Sequence, residues 1–140
     1  MTSLSQRIKV ELDNISQVLT EIERIKGKEN KATVELAGIA TFIHNFYNCI
    51  ENILNQILRE KNITIPKTES WHKSLLALSI ENEIITKHLR DTLSEYLAFR
   101  HFFVHAYGFM LEERELLALV NNIDNAFIEF KEAIKKYLID

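Results

Sequence analysis

The sequence predicts an all-α protein, an up-and-down bundle of four long helices and one short helix. Its 140 residues include one Pro and three Gly, and 46% of them are hydrophobic. This composition favours long uninterrupted helices over short strands joined by turns. Apolar residues also recur at intervals of three and four, which is the spacing of one helix face. We expect a single domain over residues 1–140, long enough to bury a core without disulfides or a metal.

The first two predicted helices have the most regular apolar stripes. Helix one is expected from about residue 4 to 26, because an apolar stripe begins at Ile8, and Gly27 with the polar run GKENK ends it. Helix two keeps one apolar face from Leu36 to Ile57 and continues through about residue 61. Gly38, inside helix two, suggests a close crossing with another helix.

The later helices follow from breaks and caps in the pattern. Pro66 interrupts it, and Thr68 or Ser70 offers an N-cap for a short helix carrying WHKSLLALS. A fourth helix is expected to begin between residues 84 and 91 and to approach its end near Gly108. A last helix is expected from about residue 112 to 137.

Charge and hydropathy limit the function classes. A formal net charge of -3 and a pI of about 6.0 argue against a broad phosphate-binding surface, so any contact with nucleic acid must be local. No window approaches the roughly 18 consecutive apolar residues of a membrane span. Cys49 has no cysteine partner, and the first residues lack the apolar segment of a signal peptide. We therefore expect a soluble cytoplasmic protein without membrane contact.

The stretch FRHFFVHAYG, residues 99–108, places polar groups in an apolar run on helix four. Arg100 lies between Tyr96 and Val104 on one narrow, largely apolar arc, so it is not expected to be an ordinary solvated charge. His101 and His105 lie one helical turn apart on the neighbouring arc. The sequence therefore predicts a compact polar patch.

Two interpretations of this patch are open. In the structural one, Arg100 pairs with a carboxylate on another helix, such as Glu51, and the histidines are satisfied core or boundary residues. In the chemical one, an imidazole transfers a proton near neutral pH and the guanidinium binds a phosphate. That chemistry suits attack of an RNA 2'-hydroxyl on its own phosphodiester, with His105 as general acid or base and with no metal or other cofactor. Asn48 and Glu51 on helix two are candidate supporting residues.

Other polar residues carry weaker hypotheses. Glu69 and His72 form one Glu-x-x-His, whereas a di-iron bundle needs two such motifs. His101 and His105 have the spacing of zinc ligands but lack an evident third ligand, so no metal site is predicted. Trp71 is expected to anchor the short helix through its apolar area. The lone histidines at positions 44 and 88 remain unassigned.

The run Arg100-His101-Phe102-Phe103-Val104-His105-Ala106-Tyr107 resembles the Arg-x4-His-x-Tyr signature of HEPN-domain ribonuclease toxins of the HepT-like group. FYNCIENIL and PKTESWHKSLL also resemble that group, and the resemblance extends from about Leu36 onward. It implies a HEPN helical bundle and a metal-independent endoribonuclease toxin. It also implies a homodimer whose two protomers bring Arg100 and His105 together in one cleft, with His101 at the polar position after the arginine.

The same resemblance implies a mode of inactivation. Tyr107 matches the tyrosine that a minimal nucleotidyltransferase (MNT-type) antitoxin adenylylates in this group. The added AMP would place charge and bulk two residues from His105 and exclude RNA. The alternative is a non-catalytic HEPN binding subunit of a nucleotidyltransferase complex, in which the motif is structural or binds a ligand.

Overall fold

Helices make up nearly all of the secondary structure. The computed structural model describes residues 2–105 and 111–139, in which no strand occurs. The elements are α1 Leu4–Lys26, α2 Thr33–Glu60, α3 Trp71–Glu81, α4 Lys87–His105, α5 Glu113–Ile134 and a 3-10 helix Lys135–Leu138. The predicted all-α class, with four long helices and one short helix, is confirmed.

The four long helices enclose one core, and α2 is its central element. Helix α1 packs on α2, α2 on α4, α4 on α5, and α5 returns to α1, while α2 also contacts α5. The short α3 lies against α2 and α4. At the centre, the ring of Phe46 packs edge-on against two other rings. Its centroid lies 5.3 Å from that of Tyr96 on α4 and 6.4 Å from that of Phe127 on α5. Such aromatic pairs stabilise a helix contact beyond the area that they bury.

Helix α1 has the bounds that its sequence predicts. Its start is fixed by a capping box, in which the Ser3 hydroxyl accepts from the Gln6 amide and the Gln6 side chain accepts from the Ser3 amide. Its predicted stripe is buried, since Ile8 and Ile15 are fully inaccessible. The helix ends at Lys26, as expected, but Gly27 has a φ of -88° and uses no left-handed conformation.

One local prediction on α2 is wrong, and one on α3 is confirmed for the position of the cap but not for its hydrogen bond. A Cβ atom placed on Gly38 would meet no neighbouring atom within 4 Å, so this glycine does not mark a close helix crossing. Ser70 occupies the N-cap position of α3, but its side chain makes no capping hydrogen bond. Its amide instead donates to the hydroxyl of Thr68 at 3.2 Å, so the turn before the helix uses that hydroxyl.

Helix α4 carries the polar patch, and the core determines its position. It begins at Lys87, within the predicted window, where the Thr86 hydroxyl accepts from the Leu89 amide at 3.1 Å. The expected continuation to Gly108 falls on residues 106–110, outside the described residues. The last predicted helix is present as α5, and its final turn tightens into the 3-10 helix. None of the described helices has the length and apolarity needed to cross a membrane.

Candidate active site

Asn48 connects the central helix to the arginine of the motif. Arg100 is half-buried on α4, and its Nε donates to Asn48 Oδ1 at 3.3 Å. Because Asn48 is on α2, the contact joins two of the bundle's long helices. The guanidinium is thereby held from one side, and within residues 2–105 and 111–139 its remaining N–H groups have no other hydrogen bond and can bind a ligand.

His44 fixes the orientation of the Asn48 amide. The Asn48 Nδ2 donates to His44 Nε2 at 3.0 Å, and the His44 ring packs on Phe103 with 4.9 Å between ring centroids. Burial, and then the positive charge of Arg100, lower the pKa of His44. His44 is therefore neutral near pH 7, and its Nε2 can accept. The Asn48 amide therefore donates to His44 through its nitrogen and accepts from Arg100 through its oxygen.

Glu51 pairs with His72 of α3 and not with Arg100. This residue is 5% exposed, and its two carboxylate oxygens lie 2.9 and 2.8 Å from His72 Nδ1. Within the described residues Arg100 therefore forms no salt bridge with Glu51, and only the positive charge of its guanidinium acts on the carboxylate. Burial raises the pKa of Glu51, and the hydrogen bond from His72 and the charge of Arg100 oppose that increase. The Tyr47 hydroxyl is buried near this carboxylate without forming a hydrogen bond of standard geometry.

The two motif histidines are exposed to solvent on the last turns of α4. The rings of His101 and His105 lie 4.6 Å apart between centroids, as their spacing of one turn predicts. Val104 is 52% exposed, so the apolar arc through Tyr96 and Arg100 leaves the core after Arg100. The half-buried position of Arg100 agrees with the expectation that it is not an ordinary solvated charge, and the arc beyond it is exposed.

A groove runs between α3 and α4 beside the patch. Its volume is about 750 Å³, and His72 and His101 both line it. The Glu51–His72 pair therefore meets the motif along one surface. The pair links α2 to α3 as Asn48 links α2 to α4.

The structure brings four of the predicted site residues together as two pairs. Asn48 contacts Arg100, and His101 lies beside His105. Glu51 contacts His72, which lines the same groove as His101. Tyr107 lies outside the described residues. The roles of these residues in chemistry stay predictions.

Sequence reasoning left out two histidines of this cluster. His44 lies four residues before Asn48 and seven before Glu51, so all three share one face of α2, a signal that could have been read. The pairing of His72 with Glu51 joins two helices and has no local signal. His88, also unassigned, binds Glu129 at the exposed surface at 3.0 Å.

Metal ligation has no geometric basis in the part of the chain that the structure describes. There, no three His, Cys, Asp or Glu side chains come close enough to share an ion. The Glu-x-x-His histidine, His72, instead donates to Glu51.

Comparison with known families identifies the chain. The sequence profile of a family described as HepT-like protein matches residues 38–139. The chain belongs to the HepT-like family. The match covers most of the protein and includes Asn48, Glu51, Arg100 and His105, and it confirms the resemblance found in the motif. A sequence search against curated proteins finds no significant match.

Solved structures share the fold at low identity. A toxin-antitoxin crystal structure with AMP-PNP contains a chain that is 20% identical, with a TM-score of 0.81 over 94% of this protein and 98% of that chain. A mutant of the toxin-antitoxin pair MntA-HpeT matches with a TM-score of 0.78 at 20% identity over the same shares. YutE of Bacillus subtilis, a cytosolic protein of unknown function, matches with a TM-score of 0.75 at 17% identity. The match covers 95% of this protein and 89% of that chain.

Proposed function

We propose that this HepT-like protein is a metal-independent endoribonuclease toxin of a toxin-antitoxin pair, acting in the cytoplasm. The observation that carries the proposal is the contact by which Asn48 holds the Arg100 guanidinium, at the same end of α4 at which the rings of His101 and His105 lie together. A fixed guanidinium next to imidazoles offers phosphate binding and proton transfer in one place. The family membership and the toxin-antitoxin structures that share the fold support it.

The reaction uses only groups of the RNA and the protein. The 2'-hydroxyl loses its proton to a base as its oxygen bonds to the adjacent phosphorus, and the bond from phosphorus to the 5'-oxygen breaks. That oxygen takes a proton, which leaves a 2',3'-cyclic phosphate and a 5'-hydroxyl. His105 acts as general base or acid, His101 assists, and Arg100 stabilises the charge on the pentacoordinate phosphorus.

A homodimer is part of the proposal. The chain carries a formal charge of -3, so one protomer offers RNA little general attraction. Two motifs facing each other would place two Arg100 and four motif histidines in one cleft, which concentrates positive charge where the phosphate binds. The exposed side chain of Val104 beside the motif gives this end of α4 an apolar surface for such a contact.

Inactivation is proposed at Tyr107 by an MNT-type nucleotidyltransferase antitoxin. Transfer of AMP to the phenolic oxygen would add a phosphate and a base two residues from His105. The phosphate would repel RNA, and the base would occupy the cleft. Co-expression with a cognate nucleotidyltransferase of this type would then add AMP units to the intact mass, and Tyr107→Phe would remove them.

An RNA cleavage assay in EDTA tests the activity. We expect the wild-type dimer to cut RNA and leave 2',3'-cyclic phosphate ends, and Arg100→Ala and His105→Ala to cut at least ~100-fold more slowly. His88→Ala is the matched control, because His88 is an exposed histidine at the start of the same helix. If His105→Ala cuts as fast as the wild type, the active site is wrongly assigned. If the pure wild type does not cut RNA, the non-catalytic binding subunit is the better description.

A further inference from the structure

The groove between α3 and α4 has the composition of a nucleotide subsite. Apolar side chains line its floor, including Leu76 and Leu97, and hydroxyl groups of Ser70 and Ser94 lie among them. Its volume of about 750 Å³ falls in the range of small-molecule sites, about 300–1,000 Å³. A flat base can rest on such a floor. The Ser94 hydroxyl donates to the Arg90 carbonyl at 2.8 Å, so it can accept a hydrogen bond from a ligand, whereas the Ser70 hydroxyl can donate or accept.

Cationic groups outnumber acidic ones around this groove, although the chain as a whole is acidic. Lys73 and Arg90 line it together with the imidazoles of His72 and His101, and Glu69 is its one carboxylate among the described residues. Arg90 Nε already donates to Asp91, which leaves the exposed Lys73 as the strongest free charge at the rim. This balance suits a phosphate of a bound nucleotide.

The His72 ring is anchored on one side and exposed on the other. Its Nδ1 donates to the buried carboxylate of Glu51 at 2.8 Å, and Trp71 meets its ring edge-on at 5.1 Å. Its Nε2 has no hydrogen-bond partner within the described ranges, and the side chain keeps 30% of its surface exposed. A ring anchored through one nitrogen, with the other free in a groove, can contact a ligand at little entropic cost.

We propose that the α3–α4 groove binds one nucleotide of single-stranded RNA next to the scissile phosphate, with its base on the apolar floor and its phosphate at Lys73 and His72. The inference rests on the proposed function, because His101 belongs to both the groove and the motif. Glu51 acts as a positioning residue through His72. Base stacking and phosphate contact of this kind tolerate many sequences.

Binding of a 2'-O-methyl RNA oligonucleotide, which lacks the attacking hydroxyl, tests the groove without cleavage. We expect Lys73→Glu to weaken binding by about tenfold, and His72→Asn, whose Nδ2 keeps a donor for Glu51 in place of Nδ1, to weaken it by a smaller factor. Lys136→Glu is the matched control, because it makes the same charge change at an exposed lysine of the 3-10 helix, outside the groove. On cleavable RNA, Lys73→Glu should raise KM and leave kcat unchanged.

Four outcomes separate this inference from the proposed activity. Equal loss of affinity in Lys73→Glu and Lys136→Glu would mean that only net charge matters and would overturn the subsite. A change of oligomeric mass in Lys73→Glu, with RNA affinity intact, would overturn it in favour of contact between copies of the chain. Wild-type cleavage with unchanged binding and KM in both groove variants refutes the subsite alone. A groove-specific binding loss in a wild type that cuts no RNA supports the subsite and refutes the ribonuclease.

Discussion

At the scale of single residues, Asn48 determines how the motif arginine is presented. Its amide bridges a neutral histidine and a guanidinium, and each partner needs the opposite end of the amide. Protonation of His44 would turn its Nε2 into a donor and break this arrangement. The lowered pKa of His44 favours the neutral form that the bridge requires.

Asn48→Ala should slow RNA cleavage by about tenfold, because the hydrogen bond that orients a charged group is lost. The effect should be smaller than that of Arg100→Ala, since the guanidinium itself remains. Asn45→Ala provides the control, as Asn45 is an exposed asparagine one turn earlier on α2. Single-turnover rates with saturating RNA measure the change, and equal rates for the two variants would show that Asn48 does not position Arg100.

Glu51 should make the free energy of unfolding depend on pH, so that it falls as pH rises. Its pKa in the folded state is raised by burial above the ordinary value of 4.5, despite the hydrogen bond from His72. Between the two values the folded protein binds more protons than the unfolded chain, so this residue makes the stability fall as pH rises through that interval. Glu51→Gln lacks this contribution.

Urea unfolding of both proteins from about pH 4 to about pH 7 measures the effect. The free energy of unfolding of the wild type, minus that of Glu51→Gln, should decrease as pH rises through the interval above 4.5. Glu69→Gln, at an exposed position before α3, is the control. A difference that grows with pH would mean that His72 stabilises the carboxylate more than burial disfavours it.

At the scale of the elements, α4 has two halves with different tasks. Its first half is core, since Leu89, Leu93 and Tyr96 are fully buried, and its second half presents the motif. The Tyr96 hydroxyl donates to the Leu119 carbonyl of α5 at 2.7 Å. This bond fixes α4 against α5 one turn before Arg100, so the position of the motif depends on helix packing.

Tyr96→Phe should lower the free energy of unfolding by about 1 kcal/mol, because it removes this hydrogen bond and keeps the ring. The edge-on contact with Phe46 remains in the variant. Glu95→Gln, a change at the exposed neighbouring position, should have little effect. Chemical denaturation measures both, and an unchanged midpoint and slope in Tyr96→Phe would contradict the role of the hydroxyl.

At the scale of the whole molecule, an acidic protein must concentrate positive charge to hold RNA. Pairing two copies at the end of α4 would do so, and the exposed Val104 belongs to that end. Val104→Asp should therefore convert the proposed dimer to a monomer and abolish cleavage. Light scattering and the cleavage assay measure the two effects.

Val10→Asp is the control for this prediction. Val10 is 59% exposed on α1, so the same substitution is made there at a surface position away from the motif. It should stay dimeric and active. A wild-type monomer that cleaves RNA would show that one protomer holds a complete site.

How much could be predicted differs between the core and the site. The stripe that begins at Ile8 and the start of α4 at Lys87 were both predictable, since a buried helix face repeats every three to four residues and caps are local. The close crossing at Gly38 was wrong, because a glycine inside a helix does not reveal what lies opposite. The partner of Arg100 was also open, since an arginine can reach either an amide or a carboxylate on another helix.

The sequence by itself determined the helical class, the helix bounds to within a few residues, and the polar motif with its family resemblance, because periodicity, caps and motif spacing are properties of neighbouring residues. Only the tertiary structure decided that Asn48 holds Arg100, that Glu51 binds His72, and that a groove joins His72 to His101. These contacts link residues 21 to 52 positions apart or lie between separate helices. They depend on how helices pack, and no short stretch of sequence encodes that packing.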